Sequence, residues 1–220
     1  MDWTTTIDGY CERLDTGFWA EPINAMTNIA FLLAALIMAW RTRQLQSPLC
    51  TALVVVLAAI GVGSFLFHTF ATVWSAVTDV VPIVSFVMIY VFLANRHYLG
   101  LSLRWALLGT AAFVPYVAIT VSIFQQLPFF NISSGYWPLP FLIAGYAVFL
   151  RKRLPSVALG LFLGSALLCI SLFFRTIDLP LCSAFPTGTH LVWHVLNAIM
   201  LGWMIETYRR HVLATGTAGS

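Results

Sequence analysis

The stretch CTALVVVLAAIGVGSFLFHTF, residues 50–70, contains no Asp, Glu, Lys or Arg. A helix of about 20 apolar residues is long enough to cross the roughly 30 Å hydrocarbon core of a bilayer. The stretch therefore predicts a membrane-spanning helix. Ser64 and His68 lie near its end. Because polar side chains are costly in a membrane segment, both are candidate functional residues.

The rest of the chain repeats this pattern. Of its 220 residues, 60% are hydrophobic and 9% are charged, whereas soluble domains carry about 25% charged residues. We predict an all-α polytopic membrane protein with seven transmembrane helices at residues 21–41, 50–70, 78–98, 104–124, 136–151, 155–175 and 189–208. This divides the chain into an acidic extramembrane segment (1–20), a seven-helix domain (21–208) and a cytoplasmic tail (209–220). The first 20 residues lack the apolar core of a signal peptide, so we expect no cleaved segment.

The basic residues predict the orientation. Nine of the 11 lie at the ends of the first, third, fifth and seventh helices or beside the connections that follow them, namely Arg41, Arg43, Arg96, Arg104, Arg151, Lys152, Arg153, Arg209 and Arg210. Because basic loops face the cytoplasm, the N-terminus is expected outside and the C-terminus in the cytoplasm. The compact chain without retrieval motifs favours a bacterial inner membrane.

Ionisable groups inside membrane helices are costly and therefore functional candidates. Five stand out here, Glu21, His68, Asp79, His190 and His194. In the predicted topology the second helix ends near His68, and the third and seventh begin near Asp79 and His190. These groups are therefore expected to meet in the outer leaflet.

The segment HLVWH places His190 and His194 four residues apart on one helical face. Both rings can then reach one ion, and His68 can supply a third nitrogen. Three histidines with an open fourth position are typical of a catalytic zinc site, and Asp79 is placed to accept a proton from water there. The alternative is that each histidine only hydrogen-bonds a neighbouring helix.

Several functions are disfavoured. The net charge of +3 is small and scattered, so we expect no nucleic-acid partner. A transporter is disfavoured because no internal repeat is visible and the polar groups collect on one side. The only lysine, Lys152, lies in a loop, which excludes a retinal Schiff base in the seventh helix.

The combination of Ser64-x3-His68, Asp79, HLVWH and the N-terminal YCERLDTGFWAEPINAMTN resembles the alkaline ceramidases, seven-helix membrane hydrolases of the CREST superfamily. The resemblance implies zinc held by His68, His190 and His194. It also implies that Asp79 acts as general base and that Ser64 stabilises the oxyanion. The substrate would be ceramide or a related N-acyl lipid, and no obligate protein partner is inferred. The alternative is a metal-containing lipid receptor or sensor without turnover.

The same resemblance implies two further features. One is a calcium site, for which the chain offers Asp8, Tyr10, Glu12, Asp15 and Glu21, although Gly9 and Leu14 stand where the family has ligands. Alternatively, these acids form a solvated cap in which Glu21 and Asn24 make hydrogen bonds at the helix N-terminus. The other is a disulfide between Cys11 and Cys182. Asn24 and Asn197 are expected to support the site through hydrogen bonds, and Arg175 and Asp178 to pair at the outer surface.

Overall fold

The computed structural model describes residues 2–216. Its regular structure is helical apart from an isolated bridge between Thr6 and Thr72. Seven principal helices follow one another: α1 Pro22–Thr42, α2 Pro48–Phe70, α3 Val73–Tyr98, α4 Leu103–Phe124, α5 Pro138–Leu150, α6 Pro155–Thr176 and α7 His190–Thr215. Short 3₁₀ turns at Asn131–Ser133 and Leu179–Leu181 lie in the connections before α5 and α7.

The all-helical fold and the positions of the seven helices agree with the prediction. Five of them, α1 to α4 and α6, are long and apolar enough to cross a membrane. α5 has 13 residues and is apolar but short. α7 has 26 residues and continues to Thr215, beyond the predicted end at 208.

The longer α7 has a simple cause. Glu206 forms ion pairs with Arg209 and Arg210, three and four residues later on the same helix, and such pairs stabilise helices. Residues 209–215 of the predicted tail are therefore helical. Residues 217–220 lie outside the described part of the chain.

α7 has a central position in the bundle because it packs against α1, α2 and α6. The core lies along these contacts, with Leu57 of α2, Leu172 of α6 and Ile205 of α7 fully buried. α2 also packs closely against α3. The close packing of α2 and α3 requires Gly63, where a Cβ would collide with the backbone carbonyl of Thr78.

The turn between α2 and α3 is short. Ala71 ends α2 in the left-handed conformation, at φ 44°, and Thr72 and Ser75 form a capping box at the start of α3. The N-terminal segment crosses this turn, because the N–H of Ile7 donates to the Ala71 carbonyl at 2.7 Å. As a result, residues 2–21 lie over the end of the bundle where α2 ends and α3 and α7 begin.

Candidate metal centre

Three histidines meet at this end of the bundle. His68 lies in the last turn of α2, His190 is the first residue of α7, and His194 follows one turn later. All three are buried, and their nitrogens lie within 4.8 Å of one another. The convergence that the sequence predicts for these residues is therefore present.

The histidines have the surroundings of metal ligands. His68 Nδ1 hydrogen-bonds to Glu21 Oε2 at 2.6 Å, and His194 Nδ1 to Thr27 Oγ1 at 2.9 Å. Such bonds fix the ring orientation and leave the other nitrogen free for a metal. His194 Nε2 and His190 Nδ1 are buried without a hydrogen-bond partner, which is rare unless an ion or water completes the site. The donor set fits zinc, for which three imidazoles and an open position are a common arrangement.

Asp79 lies beside this cluster. It is in the second turn of α3, and its carboxyl group interacts with the Ser64 side chain and, electrostatically, with His68. Among the described residues, the group able to hold a metal comprises only the three histidines. Asp79 is thus placed near the candidate ligands and is not part of their group.

The N-terminal segment covers the histidines. The Tyr10 ring stacks on His190 with 3.8 Å between ring centroids and lies 5.1 Å from His68. Burial raises the pKa of the Tyr10 hydroxyl well above its ordinary value, so it is a neutral phenol. A disulfide between Cys11 and Cys182, the pairing that the resemblance implies, connects this segment to the loop before α7.

Asp178 is a structural residue that the sequence did not reveal. Its buried carboxylate accepts the backbone N–H groups of Thr189 at 2.6 Å and His190 at 2.9 Å at the start of α7, and that of Cys11 at 3.0 Å. It therefore fixes the position of His190. Among the ion pairs of residues 2–216 none joins Asp178 to Arg175, so the expected pair is wrong.

Arg175 instead points towards the centre. Its guanidinium donates to Ser133 Oγ at 2.9 Å, interacts with Tyr10, and lies 4.8 Å from the ring centre of Tyr136. It also interacts electrostatically with Asp79 and with both histidines of α7. The only sequence signal was a single arginine near the end of an apolar helix. A cation without a carboxylate ion-pair partner in the described chain therefore lies next to the candidate metal centre.

Among the described residues, the proposed calcium ligands form no group of three or more that could hold one ion. Glu12 accepts the N–H groups of Ile23 at 2.7 Å and Asn24 at 2.8 Å, so both carboxylate oxygens are used at the N-terminus of α1. The alternative hypothesis gave this capping role to Glu21, but the Glu21 side chain makes no capping hydrogen bond at the start of α1. Asp8 and Asp15 are exposed, and Asp15 Oδ1 accepts the N–H of Gly17.

Glu21 bonds to three side chains. Its carboxylate forms hydrogen bonds with Nε of the buried Arg13 at 2.5 Å, with His68 Nδ1, and with the side-chain amide of Asn24 at 3.2 Å. Burial disfavours the charged form of Glu21, but the bonds from His68 and Arg13 outweigh it and lower the pKa. Arg13 also donates to the His68 carbonyl at 3.0 Å. The residues present do not fit a calcium cage, since its carboxylates already bind protein donors.

The two asparagines have different environments. Asn24 contacts the centre indirectly, through its bond to Glu21. Asn197 is buried one turn below His194, and its Oδ1 has no partner. It lines an apolar cavity between α3, α5, α6 and α7, which begins near Trp193 and continues to Phe86, Leu168, Met200 and Tyr90. The cavity begins beside Trp193 and Asn197, the neighbours of His194 on α7, and extends into the apolar interior of the bundle.

Comparison with known proteins gives one match over nearly the whole chain. The family model described as Ceramidase matches residues 2–215. No curated protein matches the chain significantly.

Proposed function

The chain belongs to the ceramidase family, which makes it a hydrolase of lipid amide bonds, and from this premise we propose that it is a zinc-dependent hydrolase of ceramide or a related N-acyl lipid. The observation that carries the zinc proposal is the buried cluster of His68, His190 and His194, with two ring nitrogens lacking partners. Zinc held there would polarise the amide carbonyl and lower the pKa of water.

The residues around the cluster supply the remaining chemistry. A water oxygen attacks the carbonyl carbon of the amide, and Asp79 takes up the proton of that water. Asp79 then transfers the proton to the amide nitrogen as the C–N bond breaks. The products are a fatty acid and a sphingoid amine.

Ser64 and Arg175 would act on the two negatively charged groups of the proposed reaction, the Asp79 carboxylate and the developing oxyanion. The Ser64 side chain interacts with the Asp79 carboxylate, which supports a positioning role beside the oxyanion role that the resemblance implies. Arg175 and the neutral Tyr10 hydroxyl are the donors available to the oxygen that becomes negative during attack. The acyl chain would occupy the apolar cavity below Trp193.

Calcium has no part in the proposed reaction, because Glu12 and Glu21 are already bound by backbone amides, Arg13 and His68. The N-terminal segment 1–20 is instead proposed as a protein-bonded cover of the centre.

We propose that all seven helices of the domain 21–208 cross the membrane, with the N-terminus outside. The arginine-rich ends of the helices and the tail 209–220 would then be cytoplasmic and the histidines in the outer leaflet, in keeping with the positive-inside rule. A bacterial inner membrane would suit a chain with these features. A lipid could enter sideways from the leaflet with its amide at the centre.

Metal analysis and product analysis test the proposal together. The purified protein should contain about one zinc per chain and should release fatty acid from at least one of a panel of ceramides and other N-acyl lipids, as measured by mass spectrometry. His194→Ala should lose both zinc and hydrolysis. His97→Ala, at the other end of the bundle, is the control and should keep both.

Two results would contradict the proposal. Full zinc retention by His194→Ala would remove the ligand assignment. Bound zinc without cleavage of any lipid in the panel would favour the receptor or sensor function.

A further inference from the structure

The end of the bundle opposite the histidines carries an excess of positive charge. Glu206 accepts hydrogen bonds from Arg41, Arg209 and Arg210 at 2.7–3.0 Å. Arg43 lies nearby, with its guanidinium 5.1 Å from the ring centre of Trp40. We call Arg41, Arg43, Arg209 and Arg210 the arginine cluster.

One carboxylate cannot neutralise this cluster. The four guanidinium groups and Glu206 together carry a net charge of +3, and Glu206 is the only acidic residue after Asp178 in the sequence. Each guanidinium presents five donors, and Glu206 Oε1 and Oε2 accept only five bonds from the cluster in total. Donors and positive charge are therefore left for an anion.

A polar depression lies between these side chains. Arg41, Arg43 and Arg209 line it together with Trp40 and Gln44. Arginine binds phosphate through paired N–H groups. The depression therefore has the chemistry of a phosphate site.

An apolar groove continues from this depression along the outside of the bundle. It lies between α1 and α7, has a volume of about 390 Å³, and is lined by Leu33, Ile37, Val195 and Ile199 among others. Arg41 lines both the depression and the groove. The groove extends along α1 from Arg41 to Ala30, twelve residues that span about 16 Å of helix, which is close to the thickness of one leaflet, half of the roughly 30 Å core.

We propose that the arginine cluster and the α1–α7 groove together bind one anionic phospholipid. The phosphate would lie in the depression, and one acyl chain would lie in the groove. The positive charge of the arginine cluster would favour an anionic headgroup, because basic pockets between membrane helices attract anionic lipids. The site is separate from the histidines, so this proposal does not depend on the proposed reaction.

Native mass spectrometry of the full-length protein in detergent tests the proposal. Phosphatidylglycerol and phosphatidylcholine with identical acyl chains are added at equal concentration, and bound lipids are counted. We expect phosphatidylglycerol to predominate. Arg43→Gln should bind it about fivefold more weakly, since one arginine near a membrane surface contributes about that factor.

Arg43 suits this test because it is exposed and forms no ion pair in the described chain. Arg104→Gln is the matched control, since Arg104 is also exposed and basic but lies outside the groove. It should bind phosphatidylglycerol as the unchanged protein does. Equal binding of the two lipids, or equal weakening by both substitutions, would overturn the proposal.

A second variant separates a lipid from a free phosphate. A Cβ at Gly202 would lie 3.7 Å from Ala34 and 4.0 Å from Met38, at ordinary contact distance, so Gly202→Ala adds a methyl group at the groove without a collision. It should weaken phosphatidylglycerol binding without lowering the melting temperature. Unchanged lipid binding in this variant, with displacement of the lipid by equimolar glycerol 3-phosphate, would mean an anion site only and would overturn the lipid assignment.

Discussion

Arg175 is a cation next to a site where negative charge would develop. It contacts Ser133, Tyr10 and the Tyr136 ring, all of which hold the guanidinium in place without neutralising it. A charge held in a fixed position stabilises a transition state more than mobile water does. The position of Arg175 therefore matters to rate more than to stability.

We expect Arg175→Gln to lower kcat roughly 100-fold, as loss of one oxyanion donor typically does, while zinc content and KM change little. Arg175→Lys keeps the charge and should recover part of the rate. Arg96→Gln is the control, since Arg96 donates to the Leu101 carbonyl as Arg175 does to that of Ile132, but lies at the end of α3 away from Asp79. Steady-state kinetics and zinc analysis check this, and a normal kcat in Arg175→Gln would contradict it.

Arg13 holds the buried Glu21 next to His68. Removing one partner of a buried pair leaves an uncompensated charge and costs about 3–5 kcal/mol. Arg13→Gln should therefore lower the melting temperature by about 10 °C, and Arg13→Lys should lower it less.

The same contacts predict the response to calcium. Because protein donors occupy the Glu12 and Glu21 carboxylates, millimolar Ca²⁺ should leave the melting temperature of the unchanged protein constant. A ligand that binds only the folded state raises the melting temperature. A calcium-dependent rise in melting temperature would thus show that these carboxylates rearrange around the ion.

At the scale of helices, Gly63 determines how closely α2 approaches α3. A Cβ there would collide with the Thr78 carbonyl, which belongs to the residue before Asp79. Gly63→Ala should force the helices apart, cost about 1–3 kcal/mol, and weaken the contact between Ser64 and Asp79.

Gly63→Ala should consequently lose activity but keep zinc, because the three ligands lie on α2 and α7 and none on α3. Gly145→Ala is the control, since nothing lies within 4 Å of a Cβ at that position. Kinetics, melting curves and zinc analysis distinguish the two variants. Loss of zinc in Gly63→Ala would show that α3 supports the ligands as well.

The helices and the histidine cluster were predictable from the sequence for a physical reason. Long apolar runs determine the helices, and the cost of ionisable groups in a membrane marks His68, Asp79, His190 and His194. The partners of Arg13, Asp178 and Arg175 were not predictable. They depend on tertiary contacts across many residues, such as the bond from the Cys11 N–H to Asp178, 167 residues away.

Over the whole molecule, the two ends of the bundle have opposite character. Most acidic side chains and the three histidines of the candidate centre collect at one end, where the carboxylates bind backbone amides, Arg13 and His68. Arginines collect at the other, around Glu206. This separation supports the proposed orientation, in which the candidate metal centre and the proposed lipid site would lie in different leaflets.

The Cys11–Cys182 disulfide connects residues 171 apart and holds the N-terminal segment over the centre. Without it, Tyr10 would be less constrained to lie on His190. Cys11→Ser with Cys182→Ser should reduce stability by about 2–5 kcal/mol, the usual range for a native disulfide.

The double variant should also lose zinc to a chelator faster than the unchanged protein, because the cover of the histidines opens more often. Cys169→Ser is the control, since Cys169 is a half-buried free thiol. Zinc release followed with a colorimetric chelator measures the difference. Equal release rates in the double variant and the unchanged protein would mean that Arg13 and the backbone bonds at Ile7 hold the segment in place without the disulfide.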